Sequence, residues 1–335
     1  MTTTSIKTYS EAPYYDDFDE TKNYHRVLYR PGYAVQAREL TQMQSALQAQ
    51  IDRHGQYAFK DGSRVVNGEV SLNTEYDYLK VEAAFTYGST AYTSTSLSSF
   101  EGTIITGTAN SGNQVSAIVL KAVVAASVDD DGDSTTAAEN HPDTLYVKYL
   151  KSGGANKTVE KFVVGETFIS NGSPVKYGMV GGGTDTDGAG LDSTITNAIG
   201  IGSSVSISEG VYFISGCFTY VAPSTLILRK YDNNPSAIIG LQVAETIVTS
   251  ATDGSLVDNA QGVPNTSAPG ANRYQVATTL IKQSIDPAKR NINSYITLLR
   301  VENGKISVDK TDKTADTGLT LRLAQRTHDE SGNYV

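Results

Sequence analysis

The hydrophobic period of this sequence changes once, near residue 60, and that change limits what the chain can fold into. From Val35 to His54 there is no Gly or Pro, and Ala, Gln, Leu and Glu dominate. These are good helix formers. Leu40, Met43, Leu47 and Ile51 recur at steps of three and four, with Ala37 and Ala46 beside them. That spacing puts them on one stripe of a helix over about 35–54. Pro31 and Gly32 punctuate its approach, and Gly55 is placed to end it. After residue 60 the period is two, the signature of strands with alternate side chains on opposite faces. The expected fold class is therefore mainly β: short-stranded antiparallel β-domains, sandwich- or barrel-like, with one N-terminal amphipathic helix and an extended N-terminal arm.

The apolar stripe has two readings. It packs on the β-domain of its own chain, or it forms a short seam with copies of itself. Three turns of heptad-like spacing are too few to specify a coiled coil, so both stay open.

The strand pattern sets the expected layout. Residues 1–60 form the arm and helix. SRVVNGEVSLN and YDYLKVEAAF open a β-domain over 61–200, with a small inserted β-unit at about 98–180. Within that unit SGN separates two apolar runs, as in a hairpin or short loop. A second, sandwich-like domain is expected over 201–310. There AIIGLQVAETIVTS reads as a strand pair or one long strand, and Asn303-Gly304 in ENGK is a hairpin turn signal. Residues 311–335 read as a polar tail, partly helical around Thr320–Arg326. The stretch 253–273 reads as a long irregular loop.

Composition removes several function classes. Hydrophobic residues make up 39% and charged residues 19%, enough to bury real cores. No stretch approaches the roughly 18 apolar residues of a membrane helix, so no membrane insertion is expected. MTTTSIKTYSEAPYYDD lacks a basic start followed by an apolar run and does not read as a secretion signal. The balance of 27 basic to 36 acidic residues leaves a net charge of −9 with no basic patch, so nucleic acid is not an expected partner. The 20 Tyr suit half-buried sheet. The single cysteine, Cys217, sits in the apolar run GVYFISGCFTYV and reads as a small buried core residue. The four histidines are scattered, and none is near it in sequence.

Catalytic motifs are missing. VDDDGDSTTAAEN (128–140) looks at first like a calcium loop, with Asp129, Asp131 and Asp133 as weak candidate ligands. With Gly132 as the sixth position, however, the twelfth is Ala138, and flanking helices are lacking. It reads as an acidic solvated turn. VGGGTDTDG lacks the Lys-Ser or Lys-Thr ending of a phosphate loop, and TDTDGAG (184–190) is weaker still as a cation site. HExxH, CxxC and GxSxG do not occur. No cofactor, metal or enzymatic activity is expected. In the arm, Arg26, Arg30 and Arg38 lie close in sequence to Asp17, Asp19, Glu20 and Glu39, and suit ion pairs that fix the arm to the helix, or solvated surface charges.

Two sets of longer motifs carry a resemblance. YDDF (15–18), RPGYAVQARELTQMQ (30–44) and the glycine-spaced run Gly55–Gly68 form one. ISEGVYFISGCF (207–218), LRKYDNNPSAIIGL (228–241), DNAQGVPNTSAPGANRYQV (258–276) and LLRVENGKI (298–306) form the other. In order and spacing they resemble DUF4815, a family of tailed-phage virion proteins found in T4-like cyanophages and related marine phages. The resemblance covers roughly 14–310 and is less distinctive over 84–200. Members often continue past the RTHDESGNYV segment that closes this sequence.

The resemblance implies a non-enzymatic structural component of a bacteriophage tail, in the baseplate or at a tail-fibre attachment, assembled in the host cytoplasm and located in the virion. Its partners are then other tail and baseplate proteins and copies of itself, a trimer being favoured. The residues expected at the interfaces are Tyr14, Tyr15, Phe18 and Tyr24 of the arm, with Leu40, Met43, Leu47 and Ile51 of the helix. Asn259, Gln261, Pro264, Pro269 and Arg273 of the long loop are expected to pack against another chain. One alternative is a receptor-binding adhesin for a host surface glycan, with Tyr87, Tyr92, Tyr146 and Tyr149 available to line a groove. Another is a tail-associated glycan hydrolase, which needs two carboxylates in one cleft.

Overall fold

A computed structural model describes residues 9–82, 84–87, 90–93, 97–108, 114–127, 140–151, 161–171, 177–182, 195, 197–259, 262–287, 290, 294–309, 323 and 326–331. The protein is mainly β, with antiparallel sheets, one of them curled into a half-barrel, and one long N-terminal helix.

The helix runs Ala37–Ala58, later at both ends than the sequence suggests. At its start the Gln36 N–H donates to Glu39 Oε2 at 2.8 Å, satisfying a backbone donor that the helix leaves open. Gly55 does not end it. A Cβ at that position would lie 2.3 Å from Phe213 Cε2, so the glycine serves close approach to the sheet rather than termination. The helix closes one turn later, where Phe59 N–H donates to Gly55 O at 2.6 Å.

The largest sheet has eight strands, ordered Tyr177–Met179, Thr167–Ser170, Ile104–Thr108, Gln114–Val123, Thr144–Lys151, Val70–Lys80, Ile199–Ile207 and Ser224–Arg229. Its first six strands carry one core, with Leu79, Ile105, Val119, Leu145 and Phe168 fully or almost fully buried. Its last two face a four-stranded sheet, ordered Arg273–Gln283, Ala237–Val248, Tyr295–Glu302 and Lys305–Asp309. Val205, Ile207, Leu228, Ile239, Leu241 and Leu299 form the second core between them. Tyrosines join the two. Tyr76 and Tyr146 stack with centroids 5.0 Å apart, Tyr78 meets Tyr231 edge-on at 4.9 Å, and the Lys80 ammonium lies 4.1 Å from the Tyr231 centroid.

The domain boundary expected at residue 200 therefore falls inside a sheet. Ile199–Ile207 pairs with Val70–Lys80 from Ile199↔Leu79 to Ile207↔Val70. That pairing is non-local and leaves no local trace in the sequence. SRVVNGEVSLN likewise is not one strand. Asn67 (φ 48°) and Gly68 (φ 75°) turn the chain from Ser63–Asn67, which pairs with Gly210–Ile214, into Val70–Lys80. The Tyr212 hydroxyl donates to Gly68 O at 2.5 Å and pins that switch.

Gly210–Ile214 and Cys217–Val221 form a hairpin, and with Ser63–Asn67 they make the three-stranded sheet nearest the helix. Cys217 heads the second strand and is half-buried rather than enclosed in a core. Burial still pushes its thiol pKa up. ENGK is the turn its letters suggest, with Asn303 at φ 48° and Gly304 at φ 74° between Tyr295–Glu302 and Lys305–Asp309. AIIGLQVAETIV is one long strand. The stretch 253–273 is more ordered than expected: a 3₁₀ turn at Gly254–Leu256 is followed by the two-stranded pair Val257–Asp258 and Asn265–Pro269. Near the C-terminus residues 326–331 are helical.

Glu166 gives the first core a pH dependence. It is buried; its Oε2 accepts the Val163 N–H at 2.9 Å, while Oε1 has no partner among the described residues. Burial pushes its carboxyl above the ordinary value of 4.5. The folded protein then binds this proton more tightly than the unfolded chain, so stability falls as pH rises from 4.5 through the folded pKa. Glu166→Gln keeps an acceptor without the charge. Its melting temperature, measured against wild type from pH 4 to pH 8, is expected to gain on wild type as pH rises. A constant difference contradicts this account.

Candidate assembly surface

The helix docks by the face that its pattern least advertises. Ser45, Ala49, Asp52 and Gly55 are its buried residues, small or polar and spaced four, three and three. Beyond Gly55, Phe59 packs against Phe213 and Phe218 at centroid distances of 6.0 and 5.8 Å. With 3.6 residues per turn, Leu40, Met43 and Leu47 fall on the opposite side, and Ile51 continues the stripe along its border, one turn before Gly55. Leu47 is 64% exposed, and Leu40, Met43 and Ile51 are each close to half exposed. The stripe is thus not the face that packs on this chain's own β-domain. Full burial of such side chains is worth roughly 1.5–3 kcal/mol each, and the isolated fold forgoes about half of that.

The arm holds the helix in this orientation. Asp16 is buried, and Ser45 Oγ donates to its Oδ2 at 2.5 Å. Arg38 Nη1 donates to Asp17 Oδ2 at 3.0 Å, and Arg53 grips Glu20 with two bonds, at 2.5 and 2.6 Å. The Asp17–Arg38 pairing was legible from local charge. The partner of Glu20 was not, because Arg53 lies 33 positions away. Arg30 instead lies 5.0 Å from the centroid of the Tyr33 ring. Both arm–helix ion pairs are well exposed and therefore screened, so they orient more than they stabilise. The buried Ser45–Asp16 bond is the stronger anchor. Ser45→Ala leaves that carboxylate unpaired and is expected to cost about 1–3 kcal/mol. Hydrogen exchange should show faster exchange over residues 9–20 in the variant, and unchanged protection there contradicts the role.

The arm also reaches the long loop. Asn272 Nδ2 donates to the Tyr14 hydroxyl at 2.6 Å, and Tyr9 meets Tyr14 and Tyr274 edge-on at 5.7 and 5.8 Å. Tyr14 and Phe18 are half-buried within this chain, whereas Tyr15 and Tyr24 are exposed. Between arm and helix, residues 24–36 form a strap without regular secondary structure, exposed throughout except at Val27. It presents Leu28, Tyr29, Tyr33 and Val35 to solvent. Phe18, Tyr24, Val27 and Met43 line one cleft of about 560 Å³ with Asp17, Arg26 and Arg38, so strap and stripe adjoin.

Of the expected loop residues, Asn259, Pro264, Pro269 and Arg273 are exposed, and Gln261 lies outside the described residues. So do Asp129, Asp131 and Asp133, and TDTDGAG. Among the described residues no three His, Cys, Asp or Glu side chains converge on a point that could hold a metal ion. No helix of the described residues is long and apolar enough to cross a membrane. The tyrosines available to a glycan groove are differently used: Tyr146 is fully buried and Tyr149 packs on the first core. The side chains of Tyr87 and Tyr92 lie outside those described. Sequence reading left the direction of the stripe open. The signal was present in the small residues Ser45, Ala49 and Gly55 on the opposite face.

Fold and surface together define a mainly β protein whose helix-and-arm module turns apolar side chains outward. The chain belongs to the DUF4815 family, a domain of unknown function, whose model matches residues 12–135 and 183–335. No curated protein and no solved structure matches it.

Proposed function

We propose that this protein is a non-enzymatic structural component of a bacteriophage tail, in the baseplate or at a tail-fibre attachment, where its arm, helix and long loop bind neighbouring chains. The observation that carries the assembly role is the outward apolar stripe of Leu40, Met43, Leu47 and Ile51 adjoining an exposed strap. Monomeric soluble proteins rarely expose contiguous apolar patches of this kind, and such patches commonly mark interaction surfaces. The tail location is supported by the resemblance of Arg30–Gln44 and Asp258–Val276 to tailed-phage virion proteins. The β-domains act as the scaffold that sets the distance between the two binding regions. Gold-labelled antibody against this protein on intact particles tests the location. Label at the end of the tail distal to the capsid is expected. Protein found only inside the capsid, or absent from purified particles, overturns the reading.

A further inference from the structure

We propose that the stripe Leu40, Met43, Leu47 and Ile51 is a self-association seam, filled by the same stripe of a second copy of this chain. The inference rests on the assembly role above and names the partner of one surface. The spacing of three, four and four keeps these side chains on one stripe along the helix, the arrangement a helix-to-helix seam needs, although its last step is one residue longer than a strict heptad. The borders of the stripe favour a like partner. Gln44, Gln48 and Gln50 are exposed and uncharged, with His54 at the C-terminal end. The exposed arginines of the helix, Arg38 and Arg53, are already held by Asp17 and Glu20 of the chain's own arm. Two copies of a chain with net charge −9 repel on average. Along the helix the stripe carries no uncompensated charge, and there two copies meet at least cost. The stripe spans only about 17 Å of helix, too little for a stable interface by itself. Leu28, Tyr29, Tyr33 and Val35 of the strap extend it.

Sedimentation equilibrium of the full chain at roughly micromolar to 100 µM tests this. Wild type is expected to associate with rising concentration. Leu47→Glu is expected to weaken association by at least about 30-fold, with far-UV circular dichroism and melting temperature unchanged. Leu47→Cys in a Cys217→Ser background, which keeps an apolar-sized side chain on the stripe, is expected to give disulfide-linked dimers on oxidation. Wild type that stays monomeric across the range overturns the seam. So does Leu47→Glu that associates like wild type, or Leu47→Cys that forms no cross-link while the protein associates. A monomeric chain that is still found in the tail removes the seam alone. A chain that associates through Leu47 and never enters particles removes the tail location alone.

Discussion

Gly240→Ala is expected to leave little soluble, folded protein. Gly240 is buried in Ala237–Val248, the strand that pairs on both sides, with Arg273–Gln283 and with Tyr295–Glu302. The register against Tyr295–Glu302 slips at this point, from Ile239↔Leu299 to Gly240↔Thr297. The slip brings the neighbouring backbone close, so a Cβ at residue 240 would lie 2.0 Å from the Ile296 carbonyl oxygen and 2.7 Å from Tyr295 Cζ. Neither obstacle is the free end of a flexible side chain. The Ile296 oxygen belongs to a paired strand, and the Tyr295 hydroxyl donates to Ile238 O at 2.9 Å. Relief requires separating two strands of the second core, which puts the cost above about 4 kcal/mol. Soluble yield and thermal melting measure it. Gly254→Ala is the control, since nothing lies within 4 Å of a Cβ there, and it is expected to stay within about 0.5 kcal/mol of wild type. A Gly240→Ala protein that melts like the control contradicts the bulge geometry.

The second large effect is expected at Gly55. A valine side chain there meets Phe213, which is buried and held between Phe59 and Phe218 at 6.0 and 5.4 Å. Overpacking of this kind costs about 1–3 kcal/mol, of which a better helix propensity returns only a fraction. A net loss of about 2 kcal/mol corresponds to a drop in melting temperature of roughly 3 °C for a protein of this size. Phe213→Leu in the same chain should recover part of that loss, because the two side chains compete for one space. Losses that simply add show that helix and sheet do not touch at this point.

These two glycines also show how far the sequence was legible. The fold class, the helix and the ENGK turn follow from local rules of period, propensity and positive φ, and they read correctly. Gly55 did not, because a glycine that ends a helix and one that lets a ring come close are the same letter. The partners of strands were illegible for a related reason: nothing in Ile199–Ile207 names Val70–Lys80 as its neighbour. The apolar stripe was legible as a stripe, but the contacts that orient it, Ser45 with Asp16 and Arg53 with Glu20, join distant positions.

That direction is the centre of the account, and thiol reactivity measures it. In a Cys217→Ser background, Leu47→Cys and Ala49→Cys place one thiol on each face of the helix. Each is exposed to a maleimide in solution dilute enough to hold the chain monomeric. Cys at 47 is expected to react at nearly the rate of the unfolded protein, and Cys at 49, where Ala49 is 5% exposed, far more slowly. A protected thiol at 47 with a reactive one at 49 means that the stripe is packed inside, and contradicts the account.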